Sequence, residues 1–436
     1  MIIMITREQS LKMLKVFDPE IYALYEAEIK RQMTTIDLVA SENVASPLSV
    51  CLEGSKFTNK NMVGYPDSRF TGGCANINAA EKLAISRLKE LFGCEYANVQ
   101  AVNATIANTA VLCALLKPGD TFLSLAVENG GHISHGDKCH LSGMLFNRVS
   151  YHIDPKTERV DMADVRAMAE KYKPKLIMCG FTAYTRRLDY KAFAEIAHST
   201  GAYLWVDCAH EIGLIAAKAI PSPVPYADIV TFSTQKTLRG PRGAGIILCK
   251  QKLAAQVDNA VYPMLQAGSK TDMVVARSVL FKECMTKEYQ AYGKQVVLNA
   301  KALAEGCAAA GMRVVTGGTD NHMVLVDVSK IVANGQVAED ILESVGIIAN
   351  KIDIPFVRLE SGMPAGLRIG SPDMTTRGAK EDTMYRIGEL IGITLKNTED
   401  AAKLAAVASE VKAIAAKYPD FSEEWLTPAC RAVLNA

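Results

Sequence analysis

Ala202-Tyr-Leu-Trp-Val-Asp-Cys-Ala-His210 and Ala227-Asp-Ile-Val-Thr-Phe-Ser-Thr-Gln-Lys-Thr-Leu-Arg-Gly-Pro-Arg-Gly243 decide how this chain folds. Each opens on an apolar run without polar alternation, the pattern of a strand buried on both faces. The first run delivers Asp207 and His210 at its end, and the second delivers Lys236. Working outward, Thr121–Leu125, Leu176–Phe181 and Ala244–Cys249 read as further strands. Between them, 161–172 and 190–199 read as helices; Asp161 or Asp164 can cap the first, and Gly201 ends the second in a left-handed position. Helices alternating with continuous apolar strands predict an α/β fold with a mostly parallel sheet covered on both faces. Ligands in such sheets sit beyond the carboxyl ends of the strands, where Asp207, His210 and Lys236 fall.

The flanks differ in character. Residues 7–34 read as an amphipathic helical arm. Residues 43–73, rich in Gly, Pro, Asn and Ser, read as functional loop. Helices follow at 78–92 and 104–116, the latter stopped by Lys117-Pro-Gly-Asp120. Beyond about residue 285 a long helix (288–310), short strands near 313–315 and 323–327, and helices from Ala338 and Lys380 predict a smaller α+β unit. The expected division is an arm (1–45), a large domain (46–285) and a small domain (286–436).

With 436 residues, 49% hydrophobic, 22% charged and a net charge of +1, the chain suits a soluble globular protein and offers no nucleic-acid groove or anionic-membrane surface. No apolar run reaches bilayer length, and Met1-Ile-Ile-Met-Ile-Thr-Arg-Glu8 lacks a secretory signal pattern, so a cytoplasmic location is expected. The 11 scattered cysteines form no Cys-x-x-Cys pair and no His/Cys cluster of ligand spacing, which predicts reduced, mostly buried thiols and no metal site. Cys208 is read as packing.

A lysine and an aspartate at neighbouring strand ends are the parts that hold pyridoxal 5'-phosphate. The lysine forms a Schiff base, and the carboxylate keeps the pyridine nitrogen protonated so that the ring accepts electrons. Arg368 lies in an apolar frame, Leu367 to Ile369, where an unpaired charge is costly, which speaks against an ordinary surface arginine. The glycine before His132 suggests close approach of that histidine to a ligand.

Several segments in order along nearly the whole chain resemble the serine hydroxymethyltransferase family, pyridoxal-phosphate enzymes of the aspartate aminotransferase fold type (fold type I). They are Leu38-Val-Ala-Ser-Glu-Asn43, Gly64-Tyr-Pro66, Gly72-Gly-Cys74, Asn98-Val-Gln100, Gly130-Gly-His-Ile-Ser-His-Gly136, Val206-Asp-Cys-Ala-His210, Lys236-Thr-Leu-Arg-Gly-Pro-Arg-Gly243, Gly317-Gly-Thr-Asp-Asn-His322, Leu367-Arg-Ile-Gly-Ser-Pro372 and Thr375-Thr-Arg-Gly378. The resemblance implies that Lys236 carries the cofactor, Asp207 pairs with the ring nitrogen and His132 stacks on the ring. Thr182 and His210 would lie near the phenolic oxygen, with Gln235 beside the lysine. Asn103, Ala104 and Thr105 would hold the phosphate at a helix N-terminus, joined by Gln266 and Gly268 of a neighbouring subunit. Arg368 and Ser41 would bind the substrate carboxylate, and Thr71 would lie near the substrate. A homodimer or dimer of dimers with shared sites is implied.

The departures are concentrated. Where the family has a glutamate before Gly-Tyr-Pro this chain has Val63, and a tyrosine two positions earlier is Asn61. Paired tyrosines are Phe70 and Thr71, the pterin-reading asparagine is Ile352, the histidine before the lysine is Gln235, and a Ser-Gly-Ser phosphate loop is Asn103-Ala-Thr105. An isopropyl group transfers no proton, and such an acid or base contributes about 10²–10⁴-fold. We therefore expect action at the α carbon of a small amino acid: folate-independent aldol cleavage or transfer of a β-hydroxy-α-amino acid to a glycine carbanion and an aldehyde, with tetrahydrofolate use weak or lost. His132, Thr71 or a water would serve as base for the β-hydroxyl. The alternatives are a tetrahydrofolate-dependent hydroxymethyltransferase, and a racemase, transaminase or β-eliminating enzyme on the same fold.

Overall fold

Two parallel residues at the end of the N-terminal arm, β1 (Ile36–Asp37), pair not with their sequence neighbours but with Ile347–Ile348, tying the start of the chain to its C-terminal third. The computed structural model describes residues 5–434 and 436; Met1 to Met4 of the expected arm lie outside the described residues. The arm is two helices, Arg7–Phe17 and Pro19–Thr34, rather than one. Asp18 breaks it: its carboxylate accepts from Ile21 N at 3.0 Å and starts the second helix, with Pro19 at the first helical position.

The large sheet takes β2 (Tyr96–Asn98), β3 (Thr121–Leu125), β4 (Asn147–Tyr151), β5 (Leu176–Gly180), β6 (Tyr203–Asp207), β7 (Ile229–Ser233) and β8 (Gly245–Cys249), in spatial order β2-β8-β7-β6-β5-β3-β4. All neighbouring pairs from β7 to β4 are parallel; β8 is antiparallel to both β7 and β2. β5, β7 and β8 are buried at every position, which is why their sequences do not alternate. The crossover helices Met162–Tyr172 and Tyr190–Ser199 start at Asp161 and Asp189, whose side chains accept from N–H groups of the first turn.

A second sheet joins β9 (Arg313–Val314), β10 (Met323–Asp327), β12 (Asn350–Ile352) and β13 (Gly366–Gly370) in the order β12-β13-β10-β9, all antiparallel, with β11 (Ile347–Ile348) bonded to β1 instead. The apolar frame around Arg368 is thus the central strand β13. Helices Lys287–Ala309 and Glu381–Lys396 pack against one another beside this sheet. Its apolar core includes Ile36 and Leu38, so the arm's end is built into the C-terminal unit, while a separate cluster fills the large sheet. Among the described residues no helix is long and apolar enough to cross a membrane, and all eleven cysteines are free.

Candidate active site

β6 and β7 lie side by side in register, Asp207 opposite Thr231, so the chain leaving β7 carries Lys236 past the aspartate. Lys236 lines a cavity of about 450 Å³ with Ser41, His132, Thr182, His210, Gln235 and Arg368. Six segments far apart in sequence therefore meet beyond the carboxyl ends of the strands.

Asp207 is almost fully buried yet well provided for. Its Oδ2 accepts from Asn108 Nδ2 at 2.8 Å and His135 Nε2 at 2.9 Å, and its Oδ1 from Ala209 N at 2.9 Å. Burial opposes its charge, but the hydrogen bond and charge of His135, with the Ala209 amide, prevail and hold it below the usual carboxylate range. Behind it runs a chain of oriented donors. Trp205 Nε1 donates to Thr231 Oγ1 (2.9 Å), which donates to Asn108 Oδ1 (2.7 Å), and Asn108 Nδ2 also reaches Ser134 Oγ (3.0 Å). His132 Nδ1 lies 2.7 Å from Ser134 Oγ and accepts from Ser134 N at 3.2 Å. These bonds assign the proton of the His132 ring to Nε2. Burial, then repulsion from His135, push its pKa down to about 3, so the ring is neutral.

The glycine before His132 has a different reason from the one expected. A Cβ on Gly131 would lie 2.5 Å from Leu125 O, and one on Gly130, at φ +103°, 2.1 Å from Ala183 O. The backbone approaches the protein's own strand ends, and this places His132 in the wall.

Lys236 is pushed down to about 7 by burial and by the charges of Arg368 and Arg242, with Asp207 opposing. Its main chain is also held. Asn43 Nδ2 donates to Lys236 O at 2.9 Å and lies 2.8 Å from Tyr292 Oη, while Asn43 Oδ1 accepts from Thr376 Oγ1 at 2.7 Å. His210 stacks on His322 at 5.3 Å with Nδ1 3.2 Å from His322 Nε2, and burial keeps His210 well below its ordinary pKa.

Arg368 is 8% exposed and has no carboxylate partner among the described residues. Its Nη1 donates to Thr182 O (2.8 Å), its Nε to Asn350 Oδ1 (3.2 Å), and Nη2 lies 3.4 Å from Ser41 Oγ. Burial lowers it to about 10. A buried guanidinium with only neutral acceptors is an incomplete ion pair, costly unless an anion arrives.

The other expected residues lie elsewhere. Asn103 Oδ1 accepts from Ile106 N at 2.8 Å, capping the helix Ala104–Leu115, so its side chain consumes one amide of the anticipated phosphate site. Ala104 and Thr105 are the first two residues of that helix. Gln266 bonds Gln100 O (2.8 Å) and Val102 N (3.1 Å), and Gly268 packs on Met62 O. Thr71 donates to Asn61 O at 2.9 Å. These three, with exposed Phe70, belong to a surface away from the cavity of their own chain. The departure Ile352 does line the cavity, next to Asp353.

The chain matches the sequence model of the family described as serine hydroxymethyltransferase over residues 14–391. The chain belongs to the serine hydroxymethyltransferase family. It is 46% identical over 404 residues to a serine hydroxymethyltransferase of Coprothermobacter proteolyticus, covering 93% of this chain and 97% of that one. It is 44% identical over 411 residues to the serine hydroxymethyltransferase of Myxococcus xanthus, covering 94% and 98%. The family makes it a pyridoxal-phosphate-dependent transferase of fold type I, in agreement with the seven-stranded, mostly parallel sheet. The cavity fits that cofactor. An ionised buried carboxylate stands at one strand end, an amine that is half neutral near pH 7 at the next, and buried Gln235 Oε1 lacks a hydrogen-bond partner. Sequence reasoning missed Asn108, His135 and Asn43. His135 stood three residues after His132 in a quoted motif, but no local pattern tied it to Asp207.

Proposed function

We propose that this serine hydroxymethyltransferase-family enzyme cleaves or transfers β-hydroxy-α-amino acids by aldol chemistry without requiring tetrahydrofolate. The observation that carries the reading is Arg368, a buried cation without a carboxylate, in one cavity with Lys236. Arg368 and Ser41 bind the substrate carboxylate and so orient the amino acid. Lys236 holds the cofactor, Asp207 pairs with its ring nitrogen, and His132 lies against its face as a neutral ring. Thr182, His210 and Gln235 border it, and the N-terminus at Asn103, Ala104 and Thr105 receives the phosphate. Bound there, pyridoxal phosphate supplies an electron sink for the Cα bond that breaks. The apolar Ile352 in the wall, with Val63 in place of an acid, favours an aldehyde larger or less polar than formaldehyde.

Thr71, Gln266 and Gly268 are proposed to act on the site of a second copy. In support, the arm helices Arg7–Phe17 and Pro19–Thr34 bury no residue and expose Val16, Phe17 and Leu24 at 86%, 89% and 66%. Light scattering should find a dimer or a dimer of dimers; a fully active monomer contradicts it. The same reading divides the chain into the arm, large and small domains given above.

The test is glycine formation by the cofactor-loaded protein from L-serine with and without tetrahydrofolate, beside L-threonine and L-allo-threonine without it. Folate-independent release from the threonines is expected. The names of the relatives favour a second reading, folate-dependent hydroxymethyl transfer, and strong folate stimulation on serine would establish it instead.

A further inference from the structure

The reading above leaves one proton without a destination. Breaking the Cα–Cβ bond of a β-hydroxy amino acid requires the β-hydroxyl proton to leave, and Val63 cannot accept it. His132 is a poor acceptor as well. Its Nδ1 is taken up by Ser134, its Nε2 carries the proton, and its ring is neutral at the cost of almost all basicity. Thr71, whichever copy's site it serves, offers a neutral hydroxyl that already donates to Asn61 O and is too weak a base to hold the proton.

Asp353 is differently placed. It follows β12, three residues along the chain from Asn350, the register partner of Arg368. Its successor Ile354 is 2% exposed, buried in an apolar cluster with Ala183, Leu325 and Ala365. That anchored neighbour leaves the solvent-exposed Asp353 on the rim of the cavity that Ile352, Lys236 and Arg368 also line. Its carboxylate accepts no hydrogen bond and forms no ion pair among the described residues, unlike Asp207. Asp353 also lines a second cleft of about 470 Å³, bounded by Asn129, Ile354, Phe356, Leu359 and Met363. It therefore stands where the site around Lys236 meets a cleft of mixed character, whose apolar part (Ile354, Phe356, Leu359 and Met363) suits the departing aldehyde and whose polar part is Glu128, Asn129, His152 and Arg358.

We propose that Asp353 is the catalytic base for the β-hydroxyl, taking over from the missing glutamate. Its carboxylate accepts the hydroxyl proton as the O–H electrons form the aldehyde C=O. The Cα–Cβ pair stays on Cα, where bound pyridoxal phosphate would supply the electron sink, and the aldehyde leaves into the outer cleft. A proton then returned to Cα gives glycine, so that substrate equals glycine plus aldehyde. The preferred substrate carries an apolar group on its hydroxylated Cβ, seated among Ile354, Phe356, Leu359 and Met363.

The proposal rests on the aldol reading, and the experiment separates the two. Asp353→Asn keeps an oxygen acceptor and loses the base, whereas Asp353→Ala loses both. In the cofactor-loaded protein, aldehyde release from L-allo-threonine should fall about 10²-fold or more in Asp353→Asn. Exchange of the glycine α-proton in D₂O, which involves no hydroxyl, should stay within about 3-fold. A third readout is binding, followed by the visible-band change on rapid mixing before turnover. The wild type and Asp353→Asn should prefer L-allo-threonine over L-2-aminobutyrate by roughly 10-fold, and Asp353→Ala should lose that preference. Unchanged aldehyde release in Asp353→Asn overturns the assignment, as does a parallel fall in glycine exchange. A wild type that exchanges glycine but releases no aldehyde overturns the aldol reading itself.

Discussion

The inner and outer walls of one cavity are built in opposite ways. At the inner wall the polar groups behind Lys236 and around Asp207 are bonded several times over. Asp207 accepts three hydrogen bonds, Asn108 bridges Asp207, Ser134 and Thr231, and Asn43 joins Lys236 to Tyr292 and Thr376. At the outer wall Ile352 offers no hydrogen bond, exposed Asp353 has no partner among the described residues, and Phe356 of the adjoining cleft is 55% exposed. A network in which each member fixes the next tolerates little change, because removing one group strands the others in a low dielectric. A wall of weakly coupled side chains can be altered singly. Ile352, one of the departures read from the resemblance, stands on the weakly coupled wall, whereas Asp207 and Asn43 stand in the network.

That contrast can be broken by experiment. The largest effect is expected from Asp207→Ala, which leaves His135 and Asn108 without their shared acceptor. Removing one partner of a buried pair costs about 3–5 kcal/mol. The variant should lose cofactor on gel filtration, and full retention would show that the inner wall is less coupled than its hydrogen bonds suggest. Arg368→Ala should raise KM for the amino acid by about 2–5 kcal/mol equivalent, roughly 30-fold or more, while the cofactor colour remains. An unchanged KM would remove Arg368 from the substrate site. Asn43→Ala should cost about 1–3 kcal/mol in thermal unfolding by stranding the Thr376 and Tyr292 hydroxyls. A loss below 0.5 kcal/mol, on the order of a surface substitution, would make Asn43 a bystander.

Two smaller effects sharpen the contrast. Because burial lowers Lys236 to about 7, its amine becomes neutral and nucleophilic as pH rises through that value. Cofactor uptake by the stripped protein should therefore rise with pH around 7, and Arg368→Ala should move the midpoint upward by removing a repelling charge. The linked stability has a definite sign. The unfolded lysine holds its proton up to about 10.4, so stability from this group rises with pH between about 7 and 10.4 and its cost is fully present below 7. A midpoint near the ordinary lysine value would contradict the buried setting. The smallest effect is expected from Ile352→Asn, which returns an amide to the outer wall. One hydrogen bond is worth about 0.5–1.5 kcal/mol, so tetrahydrofolate stimulation of serine cleavage should gain roughly 2- to 10-fold.

Much of this was legible in the chain before folding was considered. Uninterrupted apolar strands at Leu176–Gly180, Tyr203–Asp207 and Ile229–Ser233 announce a parallel sheet, because a strand covered on both faces has no use for alternation. Strand ends in such a sheet announce the site, and the ordered motifs announce the family. A capping residue marked the helix start at Asp161, but Asp189 and Asp18 went unread, the latter because residues 7–34 keep one amphipathic period across it. β12 and β13 were also missed: three and five residues long, they owe their existence to pairing with β10 and with each other.

By itself, then, the sequence determined the layered fold, the lysine–aspartate pair and the apolar substitutions, all of which follow from residue type and local period. Only the tertiary structure decided that His135 and Asn108 hold Asp207, that Asn43 ties Lys236 to Thr376, that Thr71 and Gln266 do not line their own chain's cavity, and that Asp353 does. The physical reason is that these are contacts between segments tens to hundreds of residues apart. Hydrogen-bond partners and buried charges depend on where chains cross, and a one-dimensional pattern records each group's chemistry without its neighbours.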